Sequence, residues 1–248
     1  MYCYEKGVRK IENFGNHKVT KDKRHLLFLH GYLADKNSFA YQLQFFSQYF
    51  NVHALDLKGF GENKGMEYPY SLSDYAREVK EYIDNNQLEK PCVIAHSFGG
   101  RIAIKLSSTY KDLFSKMVLT GCAGLKPRRG IKYIAKKLTF NFLKLFVKKE
   151  KLSSFYSKDY LSLDGTMKES FVKIIGERLD GLLQDIQTPT LIVNGDKDRE
   201  TPLYMAKKLN KGIKNSKLIV IKNTGHFCFI DSPLKFNTEV REFLLSKE

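Results

Sequence analysis

The stretch Cys92-Val93-Ile94-Ala95-His96-Ser97-Phe98-Gly99-Gly100 runs from an apolar segment through a serine into a pair of glycines. The apolar part reads as a strand. Beyond the glycines, Ile102, Ala103, Ile104 and Leu106 read as a helix spanning 98–110. The centre matches G-x-S-x-G with Ala95 in the first glycine's place. A strand turning sharply into a helix strains the backbone at its apex and crowds its neighbours. Small residues two before and two after the serine relieve that crowding, and one extra methyl at Ala95 is tolerable. Such a turn holds Ser97 Oγ at a helix N-terminus, where backbone N–H groups stabilise an anion. Ser97 is therefore the candidate nucleophile. A lone match to so short a pattern would mark any strand-to-helix turn, so its weight depends on the rest of the chain.

Working outward, the same kind of apolar run recurs at Leu26-Leu27-Phe28-Leu29, Val52-His53-Ala54-Leu55, Met117-Val118-Leu119-Thr120, Leu191-Ile192-Val193-Asn194 and Leu218-Ile219-Val220-Ile221. These runs are near-continuous instead of alternating, which suits strands covered on both faces. Helical patterns separate them. In 71–86, Leu72, Tyr75, Ala76, Val79, Tyr82 and Ile83 recur at helical spacing, with Ser71 or Ser73 placed to cap the start. Segments 202–209 and 232–245 read similarly, with Pro233 in a first turn. Strands alternating with helices predict an α/β fold, a doubly wound, mostly parallel sheet with ligands beyond the carboxyl ends of its strands.

Two further motifs fall at such ends. Asn223-Thr224-Gly225-His226-Phe227 follows the last run, and a loop histidine there can swing over the serine and take its proton. His226 is one of six histidines. His96 adjoins Ser97 and should point away from its hydroxyl, and His17, His25 and His53 have no motif context. Asn194-Gly195-Asp196-Lys197-Asp198-Arg199 supplies a carboxylate to orient the imidazole. Asp198, third after the glycine, is favoured over Asp196, which reads as a maker of turn hydrogen bonds.

Leu29-His30-Gly31-Tyr32-Leu33 ends the first run. Gly31 permits unusual backbone angles, so that the next N–H turns inward. The amides of Tyr32 and Phe98 are the expected oxyanion donors, with Leu33 as the substitute for Tyr32. Asp56-Leu57-Lys58-Gly59-Phe60-Gly61 reads as structural, with Asp56 bonding its own turn and the glycines allowing a tight path.

The interval 125–187 breaks the rhythm, with helical character and no clear strand. It reads as an inserted helical cap on a core made of 1–124 and 188–248. Ile131, Ile134, Ala135, Leu138, Phe142, Leu145 and Phe146 form an apolar stripe, and Arg128, Arg129, Lys132, Lys136, Lys137, Lys144, Lys148, Lys149 and Lys151 make its other faces basic. Phe140, Phe142, Phe146, Phe155 and Tyr156 could line an acyl pocket. A stripe packed over the site with lysines in solvent is the plainer reading. Contact with a membrane surface or an anionic lipid is the sharper one.

Composition bounds the rest. The chain has 248 residues, 42% hydrophobic and 28% charged, enough for one ordinary globular domain with its own core. The formal net charge of +15 comes from lysines spread along the chain without interleaved aromatics, which points away from nucleic acid. The four cysteines have neither metal-ligand nor redox spacing. No apolar run reaches bilayer length, and the first residues lack signal-peptide character, so a cytoplasmic location is expected. No cofactor or metal is implied.

Together these segments resemble the α/β-hydrolase superfamily, whose members share the chain order of serine, acid and histidine. The resemblance covers nearly everything outside the cap. It implies a serine, histidine and aspartate triad acting on a small-molecule acyl substrate, with His30 and Arg101 as candidate substrate-binding residues. Ser97-Phe98-Gly99-Gly100-Arg101 also looks like a menaquinone-pathway synthase that eliminates pyruvate, in which the matching arginine helps hold an anionic substrate. A serine nucleophile argues against dehalogenases and epoxide hydrolases. The expected activity is hydrolysis of a carboxylic ester. The alternatives are a carbon–carbon bond hydrolase or an elimination enzyme of the synthase kind, and a ligand receptor built on the same fold.

Overall fold

A computed structural model describes residues 23–128 and 163–246. Six strands form one sheet: β1 (His25–Leu29), β2 (Asn51–Leu55), β3 (Cys92–His96), β4 (Met117–Thr120), β5 (Thr190–Gly195) and β6 (Ser216–Ile221). Their order is β2-β1-β3-β4-β5-β6, and every neighbouring pair is parallel. All six apolar runs are strands, and the expected doubly wound sheet is the one observed.

The sheet is covered on both faces. Leu27, Leu29, Leu55, Val93, Ala95, Leu119 and Ile192 face one core, together with α2 (Leu72–Asn85), α3 (Phe98–Thr109) and α5 (Leu203–Gly212). Leu26, Phe28, Ala54, Ile94, Val118 and Val193 face the other, with α1 (Ala40–Phe46) and α6 (Pro233–Leu245). Alternate residues of one strand thus enter opposite cores, which is why the runs do not alternate in polarity. Each fully buried leucine or phenylalanine contributes roughly 1.5–3 kcal/mol. The exception is β6, an edge strand whose burial is partial and whose Val220 is exposed.

Helix α2 buries all six of the residues picked out by periodicity. Its cap is Ser71, not Ser73. The Ser71 hydroxyl accepts the Asp74 N–H, and the Asp74 carboxylate accepts the Ser71 N–H at 2.8 Å. Helix α1 and the 3-10 turn Lys36–Phe39 before it were not anticipated.

Within 125–187 the described residues hold α4 (Gly165–Gly176) and a 3-10 turn, Asp180–Asp185, and no strand. The two ends of the interval meet, since Leu179 N–H donates to Gly124 O at 3.1 Å and Lys126 N–H to Asp180 at 2.9 Å. The apolar stripe, the aromatics proposed for an acyl pocket, and the basic residues other than Arg128 lie outside the described residues.

Chain order reverses between β1 and β3, because β1 leads outward to β2 and the later strands continue on the other side. Such a switch point opens a crevice at the carboxyl ends. The loops after β1 and β3 carry Gly31 and Ser97.

Candidate active site

Ser97 lies between β3 and α3 with φ 47° and ψ −103°, a left-handed conformation that a non-glycine residue adopts at a cost of about 1–3 kcal/mol. The surroundings enforce it. Ser97 N–H donates to Thr120 O at 3.0 Å, and Ser97 O accepts the Ala123 N–H at 3.2 Å, so the apex is clamped to the end of β4. A Cβ on Gly99 would sit 2.2 Å from Leu29 O, and one on Gly100 2.5 Å from Cys122 Sγ. The glycines are needed because α3 starts hard against β1 and the β4 loop. Ser97 Oγ makes no hydrogen bond among the described residues.

The candidate base and acid, His226 and Asp198, meet. His226 Nδ1 lies 2.9 Å from Asp198 Oδ2. The same oxygen accepts the Thr201 hydroxyl at 2.7 Å, and Asp198 Oδ1 accepts the N–H groups of Glu200 and Thr201, both at 2.9 Å. The Asp198 side chain is wholly buried. Burial pushes its pKa up, but the bonds from His226 and from the Thr201 amide and hydroxyl outweigh burial and hold it below the ordinary value. Asp196 is exposed and, among the described residues, does not make the expected turn bonds to its own loop; its N–H instead extends the β5–β6 pairing, donating to Ile221 O at 3.2 Å.

Gly195 and Gly121 let the base loop approach. A Cβ on Gly195 would lie 2.2 Å from Gly225 O. One on Gly121, which has φ 50°, would lie about 3 Å from the His226 ring and carbonyl. Gly225 N–H is tied to Asp231 at 2.7 Å, so the loop before His226 is held from both sides.

His96 packs against His226. It is buried, its Nε2 lies 3.2 Å from His226 O, and the two rings are 4.6 Å apart. Burial, and then the nearby His226, push its pKa down to about 3, so it stays neutral. An uncharged ring bonded through Nε2 carries its proton there and leaves Nδ1 as an unpartnered acceptor.

On the oxyanion side, Ala34 N–H closes a turn onto Gly31 O at 3.3 Å, leaving the central amides of Tyr32 and Leu33 outside that bond. Phe98 opens α3, so its N–H has no carbonyl within the helix. Gly31 does not take the unusual backbone angle expected of it. The positive φ belongs to Leu33, at 59°. Gly31 is required for space, because a Cβ there would lie 2.7 Å from His96 Nδ1 and 3.6 Å from Ser97 Cβ. The Ser97 distance also shows how closely this loop approaches the candidate nucleophile.

The two expected substrate contacts need correction. His30 is fully buried, with Nδ1 2.7 Å from Gly31 O and Nε2 accepting the Leu57 N–H at 3.0 Å. Both nitrogens are spent on joining two loops. Arg101 is 6% exposed, and its Nη1 donates to Ile174 O at 2.8 Å and Glu177 O at 3.1 Å, capping the end of α4. Its guanidinium serves backbone, not the crevice. Asp56 is structural as expected, accepting the Lys36 and Glu62 N–H groups at 2.8 and 3.0 Å, while Gly59 and Gly61 have φ of 89° and 53°.

Three features had no sequence signal. Thr201 braces Asp198. Glu200 Oε2 lies 3.2 Å from His226 Nε2. An aromatic wall stands over the oxyanion turn, where the Tyr32 ring lies 4.9–5.4 Å from Phe60, Phe98 and Phe171, and its hydroxyl bonds Met167 O of α4.

Residues 26–239 match the alpha/beta hydrolase family. The chain belongs to that family. AB hydrolase superfamily protein YisY of Bacillus subtilis (strain 168) is 29% identical, over 89% of this chain and 91% of its own. A hydrolase of 2-hydroxy-6-oxononadienedioate and 2-hydroxy-6-oxononatrienedioate from Pseudomonas putida is 27% identical, over 79% and 77%. The solved structure of an esterase, EaEST, from Exiguobacterium antarcticum superposes with a TM-score of 0.74 at 23% identity, over 96% of this chain and 95% of that one.

Proposed function

We propose that this α/β hydrolase is a serine hydrolase that cleaves a carboxylic ester or related acyl substrate through an acyl-enzyme, with Ser97, His226 and Asp198 as its triad. The observation that carries the reading is the buried Asp198–His226 contact of 2.9 Å, in the same fold as a serine held at φ 47° on the β3–α3 turn.

In this reading Asp198 keeps a proton on Nδ1, so Nε2 is the basic nitrogen. Nε2 takes the Ser97 proton as Oγ attacks the acyl carbonyl. The carbonyl oxygen becomes an anion and moves between the amides of Tyr32 and Phe98, each worth about 3 kcal/mol to the transition state. Nε2–H then protonates the leaving alcohol, the C–O bond breaks, and the acyl group stays on Ser97. Water, deprotonated by the same nitrogen, releases the acid and restores the serine. The interval 125–187 is read as the cap, with Met167 and Phe171 of α4 meeting Tyr32 above the oxyanion turn.

Ester chemistry is preferred to cleavage of an oxo-dicarboxylate for one reason. Arg101, which with the basic residues of 125–187 is a candidate to hold a substrate carboxylate, has its Nη1 on the Ile174 and Glu177 carbonyls.

The test is a fluorophosphonate probe followed by peptide mass spectrometry, beside p-nitrophenyl esters of rising chain length. Modification of Ser97, with turnover that disappears in Ser97→Ala, is expected. Full ester turnover by Ser97→Ala would overturn the proposal.

A further inference from the structure

His226 Nδ1 is committed to Asp198, which leaves Nε2 to exchange protons with the serine and the leaving group. A second carboxylate stands beside that nitrogen. Glu200 Oε2 lies 3.2 Å from Nε2, on a side chain that is 66% exposed. Its backbone is anchored, because Glu200 N–H donates to Asp198 Oδ1 at 2.9 Å. The carboxylate that orients the imidazole therefore also fixes where Glu200 begins.

Proton transfer requires first Ser97 Oγ and then the leaving oxygen on Nε2, so Glu200 must yield that position during reaction. An exposed side chain swings aside at small cost, yet its anchored Cα keeps the carboxylate beside the same space. The leaving oxygen must come within roughly 3 Å of Nε2 to be protonated. A substituent on the short chain beyond that oxygen therefore falls against Glu200. Among the described residues, the charged side chains in contact with His226 are Asp198 and Glu200, both acidic.

We propose that Glu200 is a specificity-determining residue that selects esters whose leaving alcohol carries a cationic group, such as an amino or quaternary ammonium alcohol. This rests on the serine-hydrolase reading and adds the alcohol side of the substrate to it. The cation also draws Glu200 off Nε2 and clears the nitrogen for Ser97.

The test uses the full chain and a pair of isosteres, butyrylcholine and 3,3-dimethylbutyl butyrate, as substrates. Choline and 3,3-dimethylbutanol serve as inhibitors of p-nitrophenyl butyrate turnover. At low salt the wild type should favour the cationic member of each pair by about fivefold, as suits a partly exposed ion pair. Glu200→Gln should bring the ratio near one, Glu200→Lys should invert it, and added salt should shrink the wild-type preference. Equal ratios in wild type and Glu200→Gln, or a wild-type preference for the neutral members, would overturn the proposal. Ser97 labelling in the same samples separates the two failures. Labelled, active enzyme without charge discrimination sinks the Glu200 assignment alone, whereas unlabelled, inactive enzyme sinks the hydrolase reading and this inference with it.

Discussion

The Thr201 hydroxyl donates to Asp198 Oδ2 at 2.7 Å, the same oxygen that faces His226 Nδ1 at 2.9 Å. Asp198 is thus braced by a residue three positions on, and in the proposed triad its hold on His226 depends on that brace. Thr201→Val keeps the shape and the backbone bond but removes the hydroxyl. It should lower kcat on p-nitrophenyl butyrate about tenfold and cost about 1 kcal/mol of stability. Asp198→Asn permits the wrong imidazole tautomer and should lower kcat by about 10⁴. Steady-state kinetics with urea unfolding would check both, and equal losses in the two variants would show that Thr201 does more than brace.

Acid should weaken the fold in two stages. His96 is neutral in the folded chain down to about pH 3, but an unfolded histidine protonates near 6.5. Below 6.5 unfolding takes up a proton, so stability declines as pH falls from there toward 3, by up to about 1.4 kcal/mol per pH unit from this residue. His30, whose pKa burial also pushes down, acts in the same direction. Asp198 enters later. Its pKa is held below 3.8, so its contribution is complete above that value and lost as pH falls through the folded pKa. Urea midpoints measured from pH 8 to 4 should slope downward, and more gently in His96→Asn. An unchanged slope in that variant would remove His96 as a cause.

Gly99 should tolerate no side chain, because the atom its Cβ would meet is the backbone oxygen of Leu29 at 2.2 Å, which cannot rotate away. Gly99→Ala should cost about 3 kcal/mol as an overpacked site. Gly181 has nothing within 4 Å of its would-be Cβ and no positive φ, so Gly181→Ala should stabilise by about 0.4–1 kcal/mol through the unfolded chain. Chemical denaturation of the two variants would rank them, and a harmless Gly99→Ala would mean that β1 and α3 are less closely joined than described.

The strands were legible because burial on both faces leaves a continuous apolar run, and the meeting of His226 with Asp198 because each sits just past a strand end beside a glycine. Helix α1 was not. Its buried face includes Gln42, whose amide donates to Phe229 O and Asn237 Oδ1, far along the chain, and no local pattern announces that. Gly31 was read for its backbone freedom when its role is to leave room for His96 and Ser97, a distinction that only the neighbours reveal. Thr201 and Glu200 were invisible for a related reason. Both gain their roles from a loop folding back on Asp198, and spacing carries no record of where a side chain returns.

Arg101 gives the last prediction, because its two readings differ in what they spare. As a clamp on a substrate carboxylate, its loss would harm anionic substrates and leave neutral esters alone. In the structure it caps α4 through Ile174 O and Glu177 O, and burial pushes its pKa down to about 10. Removing it leaves two carbonyls without their donor and frees the helix that carries Met167 and Phe171 against Tyr32. Arg101→Met should therefore cost about 2 kcal/mol of stability. It should also raise KM for neutral and carboxylate-bearing esters by the same factor, since the wall they share is what loosens. Thermal unfolding and a paired KM measurement decide between the readings. A KM increase confined to carboxylate-bearing substrates would return Arg101 to the substrate and reopen the case for an anionic ligand.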